Sequence, residues 1–191
     1  LLFPYFISFV IVGLLSFGLF NYDTGFINNM LVTMGFEKHD FYADAGIWKY
    51  ILLFLNTWKG MGYGVIVYLA AITGISTEMY EAADIDGVTA FQKIRYLTLP
   101  SLKPTFIMLL LFSLGGILRG QFDLFYNVIG DNPILYPQTD IIDTYVYRSL
   151  LGSFNFANSS AVGLYQSLVG LIIVLTVNYI VKKINAEYAL F

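Results

Sequence analysis

Four long apolar runs, at about 2–20, 50–75, 104–126 and 160–181, alternate along the chain with polar stretches. A helix needs about 20 mostly apolar residues to cross the hydrocarbon of a bilayer, and each run meets or nearly meets that length. The pattern predicts four membrane-spanning helices. Asn56, Lys59, Gly60, Gly62 and Gly64 dilute the second run, so a shorter span from about Gly60, led by an interfacial segment, fits as well. Two long polar stretches, 21–49 and 127–159, and one compact charged stretch, 76–103, separate the runs; four spans put the long pair on one side. In the first of these, Phe26, Ile27, Met30, Leu31 and Met34 recur at helical spacing while Asn28, Asn29 and Thr33 face elsewhere, the pattern of a short helix lying on a membrane surface. No repeat, low-complexity tract or linker interrupts the chain, and Pro100, Pro104, Pro133 and Pro137 sit in or beside loops. The expected fold is all-α: one domain over 1–191, a polytopic transmembrane helical bundle.

Composition reinforces that expectation. The chain is 58% hydrophobic, 18% aromatic and 12% charged, whereas soluble domains are nearly half apolar and about a quarter charged. A net charge of -3 excludes the basic footprint that nucleic-acid binding needs. With no Cys and His39 as the single histidine, neither a thiolate metal site nor a His cluster can form, and no cofactor or metal is expected. The opening apolar run lacks the basic start and small-residue cleavage site of a secretory leader, so the chain reads as an internal fragment. Lys93, Arg95, Lys103, Lys182 and Lys183 lie on the side of the compact loop and tail, against Lys38, Lys49 and Arg148 on the other. By the positive-inside rule the loop and tail are cytoplasmic. The outer stretches are acidic, with Asp23, Glu37, Asp40 and Asp44 in one and Asp131, Asp140 and Asp143 in the other.

Polar residues within the runs are candidates for a cargo path, because charges in hydrocarbon usually face a pathway or another helix. Arg119, Asp123 and Asn127 are spaced four apart, so one helix face carries all three and Arg119 can pair with Asp123. That stripe either lines a route or neutralises itself against a neighbouring subunit. Asn56, Lys59 and Tyr63 share a face whose amide, ammonium and hydroxyl suit sugar hydroxyls, although Lys59 can equally snorkel outward. Gly60 and Gly64 fit close helix packing, and Gln166 and Asn178 fit interhelix hydrogen bonding. The 15 Tyr and 17 Phe suit sugar faces and membrane interfaces alike. No nucleophile with a base, catalytic carboxylate pair or metal-ligand cluster appears within the runs, so the chain is not expected to be an enzyme.

The compact loop carries the most specific pattern: Glu81-Ala82-Ala83-Asp84-Ile85-Asp86-Gly87, nine residues, then Leu97-Thr98-Leu99-Pro100. Helix formers lead into a glycine suited to positive φ, and Pro100 cannot donate within a continuing helix, so a short helix, a turn and a second short helix are predicted. Phe91, Ile94, Leu97 and Leu99 then form an apolar stripe pressing back on the bilayer or the spans, with Gln92, Lys93 and Arg95 outward. A plain connector between spans is the alternative. No G-x-x-x-x-G-K-[ST] phosphate loop is present, since Gly60-Met61-Gly62-Tyr63-Gly64 lacks the following Lys-Ser/Thr.

The Glu81 to Pro100 pattern resembles the signature loop of permeases of binding-protein-dependent ABC importers, with Leu97 where isoleucine is commoner. Pro4 to Ser8, Gly25 to Asn29, Asn56 to Lys59, Tyr68 to Ile72, Asp140 to Tyr147 and the tail Glu187 to Phe191 resemble the subgroup associated with complex oligosaccharides or polysaccharide fragments, within the maltose-type carbohydrate permeases. The resemblance implies the type I (MetI-like) permease fold, usually of six spans, so this chain would hold the last four. It implies that Glu81, Ala82, Ala83, Asp86, Gly87, Leu97, Leu99 and Pro100 form a coupling element docked in a cleft of a separate cytoplasmic ATPase. It implies as partners a pair of ATPase subunits, a second permease subunit and an extracytoplasmic solute-binding protein, in a bacterial cytoplasmic membrane. A permease of the same class for non-sugar cargo and a membrane-integral transferase are the rival readings.

Overall fold

The structure, a computed structural model, describes residues 2–153 and 156–184; the tail motif Glu187 to Phe191 lies outside them. The described residues form helices with no strand among them: α1 (Phe3–Phe6), α2 (Phe9–Phe20), α3 (Phe26–Thr33), α4 (Ala45–Thr73), α5 (Thr77–Ile85), α6 (Ala90–Lys93), a π-helical turn (Ile94–Thr98), α7 (Leu99–Ser101), α8 (Lys103–Gly115), α9 (Phe122–Ile129), α10 (Tyr136–Thr139), α11 (Ile142–Ser153) and α12 (Phe156–Ile184). They divide into two compact units, one of residues 1–62 and 119–164, the other of residues 63–118 and 165–191.

The first unit is built on aromatic packing. Its core joins Val12 of α2, Trp48, Ile51, Leu52 and Leu55 of α4, and Leu124, Val128 and Ile129 of α9, with Phe41 and Leu135. On α4 the buried residues recur three and four apart, the stripe that an amphipathic helix turns inward. The Trp48 indole donates to the Phe41 carbonyl at 2.6 Å and meets the rings of Phe20 and Tyr42 at centroid distances of 5.7 and 4.9 Å. Gly13 lets α2 approach α9: a Cβ there would strike the Asn127 carbonyl. A short helix stands at the predicted place, α3, with Phe26 and Met34 exposed. Asn28 is wholly buried. Its amide donates to the carbonyls of Asn21, Tyr22 and His39, and its oxygen accepts from the His39 amide at 2.8 Å. A polar residue thus fastens the stretch between α2 and α4.

In the second unit α8 packs against α12 at a small-residue contact, where a Cβ on Gly170 would lie 2.6 Å from the Gly115 carbonyl. Close backbone approach of this kind is how helices associate where no hydrophobic force separates protein from lipid. Gln166 donates to the Leu118 carbonyl at 2.8 Å, beyond the end of α8.

Helix α12 is long and apolar enough to cross a membrane by itself, and two bent pairs pass the same test together: Ala45–Thr73 with Thr77–Ile85 at 66°, and Ala90–Ser101 with Lys103–Gly115 at 50°. The runs at 2–20 and 104–126 are not continuous helices. The former breaks at Ile7 and Ser8, where α1 ends and Ser8 caps α2. The latter stops at Gly115, the first of two consecutive glycines of low helix propensity, and resumes only at Phe122.

Candidate functional site

The stretch 76–103 folds as a helix, a turn and further short helices. Ser76 caps α5 by accepting from the Glu78 amide, and Thr89 with Gln92 closes a capping box at α6. Gly87 sits at φ +68°. Its amide donates to the Asp84 carbonyl at 3.1 Å and the Val88 amide to the Ala83 carbonyl at 3.0 Å, which together make a Schellman ending. Ala83, buried, and Val88, half-buried, are at the paired positions of that motif. An Asp84–Lys93 ion pair and a 2.8 Å hydrogen bond between the hydroxyls of Tyr80 and Thr98 tie the two arms. Glu81, Ala82, Asp86 and Gly87 remain exposed, and Ile85 is 87% exposed at the tip.

Two expectations for this loop change. Pro100 does not stop the helix: the Leu99 amide reaches back to the Ile94 carbonyl in a π turn, and the chain stays helical through Ser101. The wider turn gives the ring room where an α-helical carbonyl would clash with it. Of the two surfaces expected for the apolar stripe, the bilayer or the spans, the spans do not take it. Phe91, Ile94 and Leu99 are exposed and only Leu97 is half-buried, while Lys93, expected outward, is drawn in by Asp84.

The candidate cargo residues separate. Asn56 and Lys59 line a cavity of about 510 Å³ with Tyr5, Phe6, Phe9 and Gln121. Asn127 lines another of about 480 Å³ between α2 and α9, and its side-chain amide donates to the Asp123 carbonyl at 2.7 Å. Tyr63, Arg119 and Asp123 line neither. Arg119 sits in the turn before α9, so the four-residue register that would set it over Asp123 on one face does not exist. Lys59 is only 8% exposed. Its ammonium donates to the carbonyls of Ile7, Tyr5 and Pro4 at 2.6, 2.8 and 3.4 Å and lies 4.6 Å from the Phe9 ring centroid. An ammonium has three donors; all three close the break between α1 and α2, so none is left for a sugar hydroxyl and the side chain does not snorkel.

A third cavity, of about 340 Å³, lies between α9 and α11, in the outer stretch whose acidic and aromatic residues suggest a docking surface for a binding protein but no saccharide pocket. Phe122 and Tyr126 stack at 5.3 Å and 12°, and the Tyr147 ring meets both edge-on at 5.1 Å. The Arg148 guanidinium lies 3.8 Å from the Tyr136 ring centroid and donates to Asp140 at 2.6 Å. Thr144 donates to the same carboxylate at 2.6 Å, and the Tyr136 hydroxyl donates to Asp131 at 2.5 Å. Phe122 and Tyr126 lie four apart on α9, and Thr144 and Arg148 four apart on α11, but only the return of the chain through Gly130 (φ +63°) and α10 brings the two helices together. Elsewhere in the unit, burial pushes the Tyr42 hydroxyl up to about 12.

Partial burial pushes the Asp140 carboxyl up, but the hydrogen bonds from Arg148 and Thr144, with the guanidinium charge, outweigh it and hold the group below its ordinary 3.8. A folded carboxyl that binds its proton less readily than the unfolded one stabilises the fold above the unfolded value. Asp140 therefore contributes fully above about pH 3.8, and the contribution is lost as pH falls through the lower folded value. Tyrosine circular dichroism of the purified protein should show this cavity loosening in that acid range, and Asp140→Asn should remove the step. An acid transition unchanged in Asp140→Asn would discard the pairing.

The family model of the "Binding-protein-dependent transport system inner membrane component" matches residues 1–186, and the chain belongs to that family. Protein LplB of Bacillus subtilis (strain 168) is 36% identical over 184 residues, 96% of this chain and 57% of that protein. The polygalacturonan/rhamnogalacturonan transport system permease protein YteP of the same organism is also 36% identical over 184 residues, with the same coverage. Among solved structures, a bacterial alginate ABC transporter in complex with alginate pentasaccharide-bound periplasmic protein superimposes with a TM-score of 0.86 at 37% identity, over 96% of this chain and 63% of that one. This chain thus spans less than two thirds of each of these proteins. The all-α, MetI-like fold expected from the sequence is the fold of this family.

Proposed function

We propose that this chain is the permease portion of an ATP-driven importer that moves an oligosaccharide across the bacterial cytoplasmic membrane. The observation that carries the reading is the loop 76–103. Its rigid Schellman ending, its tied arms and its uncovered tip of Ile85 beside Glu81 and Asp86 make a stiff knob with an apolar point and an acidic flank. A knob of that shape fits a cleft on a separate ATPase and transmits that subunit's movement without deforming. The relatives' saccharide names support the cargo class. A second permease subunit and a solute-binding protein complete the assembly. Within this chain the cavity of Asn56, Tyr5 and Gln121 is the better candidate for the cargo path; Asp123 and Asn127 keep a shared face of α9, and Arg119 falls outside it.

Charge reversal tests the docking. In the reconstituted complex, Glu81→Lys should lower cargo-stimulated ATP hydrolysis by about 30-fold, the effect of spoiling one desolvated charge contact, with membrane insertion intact. Undiminished stimulation would sink the coupling role.

A further inference from the structure

The cavity between α9 and α11 lies in the stretch read as facing outward, and neither the coupling loop nor the Asn56 cavity accounts for it. Its size falls in the range of small-molecule sites, roughly 300–1,000 Å³. The lining combines the rings of Tyr126, Tyr136 and Tyr147 with the carboxylates of Asp131 and Asp140, the two kinds of surface that a sugar ring satisfies together. The ring's C–H face packs on an aromatic plane, and its hydroxyls donate to carboxylate oxygens. The polar wall is preorganised: Thr144 and Arg148 hold Asp140, and Tyr136 holds Asp131 through Oδ1. Asp131 Oδ2 makes no hydrogen bond among the described residues and is open to accept one.

The charges decide which sugars fit. The wall bears two carboxylates, Asp131 and Asp140, against one guanidinium, Arg148, a net charge of -1. Arg148 is already committed, with Asp140 on one edge and the Tyr136 ring across one face. A uronate would have to displace Asp140 from Arg148 while facing Asp131, and the like charges disfavour it. Resting on the importer reading above, we infer that this cavity is an outer saccharide subsite and that it selects neutral oligosaccharides against acidic ones. In this it would differ from the relatives whose names specify polygalacturonan or alginate.

The test uses the complete importer in lipid nanodiscs, without its binding protein, and saturation-transfer NMR. Oligosaccharide pools from starch, xylan, arabinan, galactan and mannan are compared with pools from polygalacturonan and alginate. At least one neutral pool should give transfer, and the acidic pools should give about tenfold less or none. Leu151→Trp, at an exposed cavity-lining position, should block neutral binding without removing a core contact. Asp131→Asn keeps a group for the Tyr136 hydroxyl, cancels the net charge, and should let acidic pools in. Equal or stronger transfer from acidic pools, no neutral transfer, or neutral transfer untouched by Leu151→Trp would overturn the inference. ATP hydrolysis by the same complex with loaded binding protein reports on the importer reading separately. Stimulation by acidic pools without neutral binding retains that reading and discards the subsite's selectivity, whereas no response to any pool discards both.

Discussion

Gly87→Ala should lower cargo-stimulated ATP hydrolysis by about 5- to 30-fold, and Gly87→Val by more, with the permease still inserted and bound to its ATPase. Gly87 lies at φ +68°, and a Cβ built there meets nothing within 4 Å. The penalty is therefore one of backbone conformation and not of collision. An L-residue in the left-handed region costs about 1–2 kcal/mol, a factor of about 5–30 in a two-state population, and a β-branched residue costs more. What is lost is the Schellman ending: without it the Gly87 and Val88 amides leave the Asp84 and Ala83 carbonyls, and the angle between α5 and α6 is no longer fixed. The activities should rank Gly, Asn, Ala, Val, because Asn tolerates this conformation best among L-residues. A valine variant as active as the parent would show that the loop transmits nothing through this turn. A ranking by side-chain size, with Asn below Ala, would mean that a partner surface packs on Gly87.

That turn was legible from sequence because its cause is local: a run of helix formers leading into a glycine states the ending within a few positions. The long apolar runs were legible for a similar reason, since hydrophobic periodicity averages over many residues. What escaped was set by distant partners. Pro100 reads as a stop because the sequence gives no sign of the π turn at Ile94–Thr98 that accommodates it. Asn28 reads as the polar back of a surface helix, whereas its bonds to His39, eleven residues on, make it the most buried side chain of α3. The stripe of Arg119, Asp123 and Asn127 assumed an unbroken helix that the glycines at 115 and 116 interrupt. The aromatic cavity depends on α11 folding back over α9, which no spacing within either helix announces.

Lys59 shows the same limit and carries the other large expected effect. On an apolar helix an ammonium suggests either cargo contact or an outward reach, and the structure gives it neither. It substitutes for the backbone donors that are missing where the first apolar run breaks, taking the carbonyls of Pro4, Tyr5 and Ile7. Lys59→Met keeps most of the side-chain volume and removes every donor, so the Tyr5 and Ile7 carbonyls lose the ammonium in a part-buried site, while the Pro4 carbonyl keeps the Ile7 amide. Each such group costs about 1–3 kcal/mol. The thermal midpoint of the purified protein should fall by on the order of 10 °C, at about 2–4 °C per kcal/mol for a chain of this size. Lys59→Arg retains the charge and several N–H donors and should recover part of the loss. The two possible roles of Lys59 predict opposite patterns. A residue that touches cargo would, when replaced, depress uptake while leaving the midpoint in place; a clamp depresses the midpoint whether or not any saccharide is present. A Lys59→Met protein that melts with the parent but fails to import would return Lys59 to the cargo path and leave the break between α1 and α2 to be held by Ser8 alone.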